Sequence, residues 1–315
     1  MVIYLQRRAK RIAEYAEKFY LMMWHREIFN ALGDNGVRSN LGVSDLLNVP
    51  ITVPPLEVQK SIAIFLDKNC SEIDSLSTDI QSQIDVLEEY KKSVITEAVT
   101  KGLNPDVEMK DSGIEWVGMI PAHWNVDKGK YFLRYLQKPV RETDDVITCF
   151  RDGEVTLRTN RREDGFTISL KEIGYQGIDI GDLVVHGMDG FAGAIGISDS
   201  RGKASPVLNV LDADHNKRYL MYYLRNMAYN GVFIALATGI RVRTCDTGWN
   251  KLRELQYTLP PKSEQDEIAN FIDTKCAEID TVIADKKAQL ETLAEYKKSL
   301  IYEYVTGKKE VPENV

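Results

Sequence analysis

The chain has 315 residues, enough for about two domains, and its 43% apolar content suffices for ordinary hydrophobic cores. No run of apolar residues approaches the roughly 18 that a membrane span needs, and the N-terminus lacks the apolar core of a secretory signal. The net charge of −7 is uneven, because residues 113–259 hold 19 Lys and Arg against 18 Asp and Glu. With four cysteines and no CxxC pair, these features predict a reduced cytoplasmic protein without a zinc site.

The first 53 residues contain a basic, helix-like stretch and a segment that parallels one much later in the chain. Phe19–Glu27 reads FYLMMWHRE, and RYLMYYLRN follows at Arg218–Asn226. GVRSN at Gly36–Asn40 likewise parallels GIRVR at Gly239–Arg243. The parallels predict that this segment is the end of a domain similar to the one that precedes the second helix.

A long helix is predicted after Pro54-Pro55, because roughly 45 residues follow without Pro or Gly until Gly102. Apolar residues recur there in alternating steps of three and four, which indicates a heptad seam. At about 1.5 Å per residue, 45 residues would span about 65 Å, so the helix needs a partner helix along its length. The predicted seam residues are Ile73, Leu76, Leu87, Tyr90 and Val94.

A globular domain is predicted between this helix and the next. Residues 103–112 form a polar connector, and short β-type runs alternate with turns from Val146 to Leu211. A helix is predicted at Lys217–Tyr229, and a basic loop follows it. The predicted fold class is α+β, with a globular domain at 113–259 and two long helices that form an antiparallel coiled coil.

The second long helix is an internal repeat of the first. Residues 51–102 match residues 257–308 at a constant offset of 206, without a gap and with 24 of 52 positions identical. The repeated seam residues are Ile279, Val282, Leu293, Tyr296 and Leu300. We predict that residues 56–100 and 262–306 pair as antiparallel helices, with Leu87, Tyr90, Leu293 and Tyr296 buried between them.

The repeated motifs resemble those of a known family. Pro-Pro, Gln, Phe-x-Asp, Glu-Ile-Asp and Glu-Tyr-Lys-Lys-Ser, in this order, look like the conserved region of the specificity (S) subunits of type I restriction-modification systems. GIEWVGMIPAHW at Gly113–Trp124 looks like the start of one of their target recognition domains, and the similarity covers about residues 19–310. The implied domains are a remnant of a first recognition domain (1–53), the first spacer helix (54–102), the connector (103–112), a target recognition domain (113–259), the second spacer helix (260–310) and a tail (311–315).

The resemblance also implies a function. Such a chain is not an enzyme: its recognition domain reads a few base pairs of double-stranded DNA in the major groove, and its helices set the distance between two half-sites. Methyltransferase (M) subunits, which carry S-adenosylmethionine, dock on the helices, and the translocating endonuclease (R) subunit joins them. No cofactor or metal is therefore expected in this chain itself.

Candidate DNA contacts are the polar side chains of the predicted turns, since DNA recognition needs cations for phosphates and forked donors for base edges. The turn LRTNRRED is the densest of these, and the pair of arginines in RVR could follow a phosphate backbone. For each residue the alternative is a solvated surface position, and for His186 a packed one. The candidates are Arg158, Asn160, Arg161, Arg162, Gln176, His186, Asp189, Lys203, Arg241 and Arg243.

Catalytic interpretations find little support in the sequence. Pro105–Lys110 contains the letters of a metal-dependent nuclease motif, but its carboxylates are too close along the chain to converge on one metal. Gly190–Gly196 lacks the spacing of the dinucleotide fingerprint, and the adenine methylation motif is absent. Two alternatives stay open: a coiled-coil interaction protein that does not bind DNA, and a truncated, silent specificity allele.

The short N-terminal segment carries one more expectation. Full-length family members have a recognition domain before each helix, whereas here the strand-rich part that should precede Phe19 is absent. One chain is therefore predicted to read one half-site, and pairing of two chains through the helices would supply the second. Apolar residues such as Tyr20, Leu21, Met22 and Trp24 would be short of a core.

Overall fold

The computed structural model describes residues 3–32, 52–161, 172–235 and 247–312. The chain divides into two compact units: unit 1 comprises Met1–Leu87 with Asp280–Val315, and unit 2 comprises Glu88–Ile279. Both long helices contribute residues to each unit. The domain boundaries inferred from the sequence stay a prediction.

Helices in the described residues include the two long ones that the repeat predicts. Their bounds are α1 Ile3–His25, α2 Ile28–Leu32, α3 Leu56–Lys101, α4 Lys217–Tyr229, α5 Val232–Ala235, α6 Trp249–Leu252 and α7 Lys262–Val305. The prediction of two helices of about 45 residues is confirmed, since α3 has 46 residues and α7 has 44. Each begins directly after its Pro-Pro pair, and each is followed by a glycine in the left-handed region, Gly102 or Gly307.

Unit 1 confirms the antiparallel pairing for its part of the two helices. Lys297 Nζ lies 2.6 Å from Asp74 Oδ1, and Lys286 Nζ donates to Gln83 Oε1 at 2.5 Å, so residue numbers fall along α7 as they rise along α3. Helix α1 packs against this pair. The buried apolar core of the unit is formed by Tyr15, Phe19, Met22, Met23, Ile62, Leu66, Cys70, Ile73, Leu300, Ile301, Tyr304 and Val305.

The predicted seam was wrong at every second position. Ile73, Ile279 and Leu300 are buried, and Leu87, Val94 and Leu293 are half-buried. Four predicted seam residues are exposed instead: Leu76 (49%), Tyr90 (55%), Val282 (44%) and Tyr296 (55%). Ile283, one residue after Val282, is buried instead, and Ile84 is buried on the other helix. A helical side chain leans toward the N-terminus, so a given surface spot is covered by a residue about one position later in the chain.

Unit 2 contains the mixed α+β domain. Its strands are β1 Met109–Asp111, β2 Met119–Pro121, β3 Asn125–Lys128, β4 Leu133–Tyr135, β5 Ile147–Cys149, β6 Val155–Leu157, β7 Gln176–Ile178, β8 Leu183–His186, β9 Ile195–Ile197, β10 Gly202–Ala204, β11 Leu208–Ala213 and β12 Gln256–Leu259. The largest sheet is antiparallel with the order β4-β11-β8-β9. Four antiparallel pairs accompany it: β1-β2, β7-β10, β3-β12 and β5-β6.

Helix α4 is the centre of the unit 2 core. It begins at the N-cap Asn216, whose side chain accepts from the backbone N–H groups of Arg218 and Tyr219. Its buried face packs with Trp124, with strands of the main sheet and with the parts of α3 and α7 that belong to this unit. The predicted helix at 217–229 is confirmed, and the α+β class with it.

One anchoring contact is repeated in both units. In unit 2, the Tyr219 hydroxyl donates to Thr258 O at 2.8 Å and to Val99 O at 3.4 Å. In unit 1, the Tyr15 hydroxyl donates to Thr52 O at 3.1 Å and to Val305 O at 2.9 Å, and both acceptors are the repeat equivalents at the offset of 206. Helix α1 therefore takes in unit 1 the place that α4 takes in unit 2.

The register of this equivalence corrects the sequence alignment. Aligning Phe19 with Arg218 gives an offset of 199, whereas Tyr15 with Tyr219 gives 204, five residues away. An ion pair supports the new register, because Lys18 Nζ lies 2.6 Å from Asp67 Oδ1 where Tyr222 donates to Asp273 in unit 2. The parallel of GVRSN with GIRVR lies outside the described residues.

The expectation that the apolar N-terminal residues lack a core was only partly right. Met22 is buried in unit 1, and Tyr20 and Leu21 are half-buried against the same cluster. Trp24 is exposed, as expected. The helix α1 buries a stripe with a spacing of three and four residues, and Trp24 lies off that stripe.

Candidate nucleic-acid interface

A tight hairpin gathers several of the predicted residues. Strands β5 and β6 are joined by the turn Phe150–Glu154, and residues 158–161 fold back along β6. There Asn160 Nδ2 donates to Thr156 Oγ1 at 2.7 Å. The Arg161 guanidinium lies 2.7 Å from Asp152 Oδ2 and 3.0 Å from Glu154 Oε2, and it stacks 4.2 Å above the Phe150 ring. We call the turn 150–154 together with residues 158–161 and 186–192 the hairpin corner.

Contacts with Arg225 fix the backbone of this turn. Gly153 adopts φ of 88°, and an added Cβ there would collide with the Arg225 guanidinium. Arg225 itself donates to two backbone carbonyls, Asp152 O at 3.1 Å and Ile195 O at 2.8 Å. A cation of α4 thus fixes the hairpin to β9, and the polar side chains of the corner stand on a fixed backbone.

Arg151 connects the turn to the other half of the corner. Its guanidinium donates to Asp189 Oδ1 at 2.9 Å, and Asp189 lies three residues after His186, the last residue of β8. His186 Nδ1 accepts from the backbone N–H groups of Met188 (3.2 Å) and Asp189 (3.0 Å). Burial lowers the pKa of His186, and the two accepted hydrogen bonds also require an unprotonated Nδ1. His186 therefore shapes the turn as a neutral ring and supplies no cation for a phosphate.

The predicted residues do not form one patch. Asn160, Arg161, His186 and Asp189 belong to the corner, and Arg158 begins the segment that folds back along β6, where its Nε is 3.4 Å from Thr148 Oγ1. Lys203 lies instead on β10, and its ammonium is 2.8 Å from Glu172 Oε2. The remaining predicted arginines, Arg162, Arg241 and Arg243, lie outside the described residues.

Gln176 is the clearest correction. We predicted it as a turn-borne DNA contact, but it lies at the start of β7, is buried, and donates to Leu208 O at 2.9 Å. A side chain whose amide is used inside the domain cannot reach a base edge. The two glycines in GYQG suggested an open turn. Instead, β7 pairs with β10, and this pairing places the Gln176 side chain in the interior of the domain.

Sequence reasoning missed Arg151 and Met188, which the structure places on the surface of the corner. The Arg151 side chain is 63% exposed, and Met188 is exposed beside Asp189. The signal for Arg151 was present, because RDGE at 151–154 contains the Asp-Gly pair of a hairpin turn. Charged residues that flank such a turn are presented outward by its geometry.

The chemistry of the corner is that of a mixed polar surface. Its described cations, Arg151, Arg158 and Arg161, are matched by the carboxylates of Asp152, Glu154 and Asp189. An arginine guanidinium and an asparagine amide carry forked donors, which suit guanine and adenine edges in the major groove. The described part of the corner can thus provide directional donors but not a strong positive field. Within the described residues, no group of three or more His, Cys, Asp or Glu could hold a metal ion, and no helix there is long and apolar enough to cross a membrane.

Similarity to known proteins agrees with this architecture. The family model described as "Type I restriction modification DNA specificity domain" matches residues 5–86. The putative type I restriction enzyme MjaX specificity subunit of Methanocaldococcus jannaschii is 28% identical over 313 residues, which cover 93% of this chain and 68% of that protein. The MjaVIII specificity subunit of the same organism is 39% identical over 94 residues, or 27% of this chain and 20% of that protein.

A solved structure shares the fold. One chain of a structure that concerns complex assembly and conformational transition of the type I R-M system has a TM-score of 0.61 to this chain at 13% identity. The match covers 86% of this chain and 65% of that chain, so this chain spans about two thirds of its length.

The fold and the corner define a class of protein in which a duplicated helical spacer carries an α+β domain with a polar turn surface. Within that class, the chain is similar to the specificity subunits of type I restriction-modification systems.

Proposed function

We propose that this chain is the DNA sequence-recognition subunit of a type I restriction-modification complex and binds one half-site through residues 113–259. The observation that carries the proposal is the hairpin corner, where Arg151, Asn160 and Arg161 stand on a turn fixed by Arg225. Base discrimination is favoured by forked donors that are already fixed at a surface turn, because ordering a mobile side chain on binding costs conformational entropy.

The helices would scaffold the catalytic partners. Methyltransferase subunits with S-adenosylmethionine, and an endonuclease subunit, would supply the chemistry, and this chain would be non-catalytic. Support comes from the long exposed faces of α3 and α7, which carry apolar side chains such as Leu76, Tyr90 and Tyr296 outside any core. Exposed apolar residues on a rigid helix surface are suited to protein contacts.

A second half-site would need a second recognition domain. Unit 1 retains the anchoring helix α1, but the described residues ahead of α3 contain no strand. We propose that pairing of two chains through the helices supplies the second domain, which would give a symmetric DNA target. A truncated allele that never assembles is the alternative.

Selection from random DNA tests the proposed function. The full chain, with the methyltransferase subunit of its own system, is incubated with duplexes that carry a randomised segment, and the bound fraction is sequenced. We expect enrichment of a short motif a few base pairs long, with affinity that falls linearly with salt on a logarithmic scale.

Two results would contradict the proposal in different ways. Salt-dependent binding without any enriched motif would leave a non-specific DNA-binding protein. Association with the methyltransferase subunit but no DNA binding at all would favour the coiled-coil interaction protein.

A further inference from the structure

A surface pocket of about 550 Å³ lies in unit 2, between the end of α3, the connector that follows it and the start of α7. Its lining includes Tyr90, Val94 and Ala98 of α3, Leu103 of the connector and Phe271 of α7. All residues that line it are within the described ranges, and none is next to the end of such a range. A pocket of this size is in the range of protein binding sites, about 300–1,000 Å³.

The internal repeat shows what fills the same place in unit 1. At the offset of 206, Ala98 corresponds to Tyr304 and Phe271 to Phe65. In unit 1 the Tyr304 ring lies against Phe65, with 4.4 Å between the two ring centroids. In unit 2 the equivalent residues, Ala98 and Phe271, line the same pocket, but alanine supplies no ring. Among the described residues of unit 2, this ring position is therefore unfilled.

The exposure of the equivalent side chains agrees with this comparison. Tyr304 is 8% exposed, and Phe65 is half-buried against the unit 1 core. Phe271 is exposed, whereas Ala98 is buried, so the methyl group of Ala98 forms the floor of the pocket. An apolar group that covered this floor would also remove the ring of Phe271 from water, which is favourable.

The rim of the pocket is polar. Ser93, Glu97 and Lys101 of α3 line it, and all three are exposed. An apolar floor with a polar rim suits a tyrosine side chain, because its ring is apolar and its hydroxyl needs a hydrogen-bond partner. Tyrosine is also enriched at protein interfaces, where a few such anchors contribute most of the binding energy.

We infer that the pocket receives a tyrosine side chain of the methyltransferase subunit. The inference rests on the proposed function, in which that subunit docks on the exposed faces of the helices. Tyr90 connects the pocket to that docking face, because it lines the pocket and is one of the exposed side chains of the face. The incoming ring packs against Phe271 as the Tyr304 ring packs against Phe65 in unit 1.

Filling the pocket from within the chain tests the inference. Ala98→Tyr introduces at position 98 the side chain that position 304 carries, so it should weaken association of the full chain with the methyltransferase subunit at least about tenfold. Ala98→Ser is the matched control, because it leaves the pocket open and should change the affinity by about twofold or less. Isothermal titration calorimetry measures both variants.

Phe271→Ala tests the same contact without a change at the buried position. Phe271 is exposed, so circular dichroism should show an unchanged fold. Loss of the ring against which the tyrosine packs should again weaken the association at least about tenfold. This variant decides the question if Ala98→Tyr does not fold.

A free ring separates occupation of the pocket from indirect effects of the substitutions. The probe is 4-methylphenol, which is the side chain of tyrosine, and its binding to the full chain is followed by the NMR signals of Phe271. We expect saturable binding with a Kd on the order of 1 mM, which is lost in Ala98→Tyr. The same probe should weaken association with the methyltransferase subunit.

Several results would overturn the inference. These are unchanged association of Phe271→Ala or of folded Ala98→Tyr, an equal loss in Ala98→Ser, and 4-methylphenol that does not bind or does not weaken the association. Self-association of the chain that Ala98→Tyr abolishes would make a second copy the occupant instead. If the unmodified chain does not bind the methyltransferase subunit at all, the proposed scaffold fails as well, whereas the other results leave the proposed function intact.

Discussion

Gln59 and Gln265 hold the same place in the two repeats, yet only one of them has its amide satisfied. Each donates from Nε2 to the carbonyl of the first proline of its Pro-Pro pair, at 2.7 Å and 2.8 Å. Gln265 Oε1 also accepts from the backbone N–H of Asn216 at 3.0 Å, whereas the buried Gln59 Oε1 has no partner among the described residues. The cause is α1: at the offset of 204, Asn216 corresponds to residue 12, which lies inside that helix and not at its cap.

This difference makes the two glutamines a matched pair for mutation. Gln265→Met removes three hydrogen bonds, to Pro260 O, to the Asn216 N–H and to His215 Nδ1, and it leaves the Asn216 N–H unpaired. We therefore expect it to lower the free energy of unfolding by about 1–3 kcal/mol. Gln59→Met removes a buried side-chain oxygen that has no partner among the described residues, so this substitution should be less destabilising. Urea unfolding measures both, and an equal or larger effect of Gln59→Met would show that its oxygen is satisfied in solution.

Arginine substitution at the corner separates base contacts from phosphate contacts. Arg151→Ala or Arg161→Ala should cost about 1–3 kcal/mol of DNA binding and relax specificity at one position if the arginine reads a base. A uniform loss over all sequences, with a flatter salt dependence, would mark a phosphate contact instead. Competition binding with single-base variants of the selected motif distinguishes these outcomes.

Arg134→Ala is the control for this experiment. Its side chain is also exposed and ion-paired, with Asp212 and Asp214, and it lies at the opposite end of β11 from the partner of His186. Binding that is unchanged in both Arg151→Ala and Arg161→Ala, or weakened equally in Arg134→Ala, would remove the corner as the DNA face.

His186 should titrate below its ordinary pKa of 6.5, because burial disfavours the charged ring. The unfolded chain then binds a proton before the folded one does. The contribution of His186 to stability is therefore complete above about pH 6.5 and is lost as the pH falls. NMR titration of the full chain measures the midpoint, and a value at or above 6.5 would contradict the hydrogen bonding described for Nδ1.

At the scale of elements, the phase of the helix seam can be tested within unit 1. Ile84 is almost completely buried, whereas the predicted seam residue Leu76 is exposed. Ile84→Asp should destabilise the protein by several kcal/mol, since a charge would enter an apolar contact, and Leu76→Asp should change stability by about 0.5 kcal/mol or less. Thermal unfolding measures the loss of stability in both variants. A larger loss in Leu76→Asp than in Ile84→Asp would support the seam that the sequence predicted.

The helices and strands were easier to predict from the sequence than the contacts between them. The long helices were predictable because Pro-Pro and Gly bound each one, and the duplication was visible as a constant offset. The seam phase was not, because Leu76 and Tyr90 are apolar residues that the tertiary structure leaves outside. Likewise, the burial of Gln176 depends on the pairing of β7 with β10, which are distant in sequence.

The candidate site was only partly predictable for the same reason. Asn160 and Arg161 follow from local turn chemistry, but the ion pair of Arg151 with Asp189 joins segments 38 residues apart. The register of α1 also depends on a distant contact, because the Tyr15 hydroxyl finds its acceptors at Thr52 and Val305. Local patterns predict where a polar turn lies and cannot predict which side chains of other segments meet there.

At the scale of the whole molecule, one chain should engage one half-site. On a duplex with two half-sites about 34 Å apart, one helical turn, we expect two chains of 35.8 kDa to bind together. Light scattering of the complex at micromolar concentration gives the mass. A strict monomer that binds the two-part site with full affinity would refute this, and a duplex with a single half-site serves as the control.

The hydrogen bond from Tyr15 to Val305 O, 2.9 Å long, joins the first described helix to the end of the last one. The order of the elements along the chain could therefore be changed while the contacts between them are kept. A linker between residues 312 and 3 would close the chain into a ring, and a cut in the connector at 103–108, where the described residues form no helix or strand, would open it again. Such a circular permutant would begin with the α+β domain and keep every contact described for each unit. A rearranged gene could thus encode the same elements in a different order along the chain.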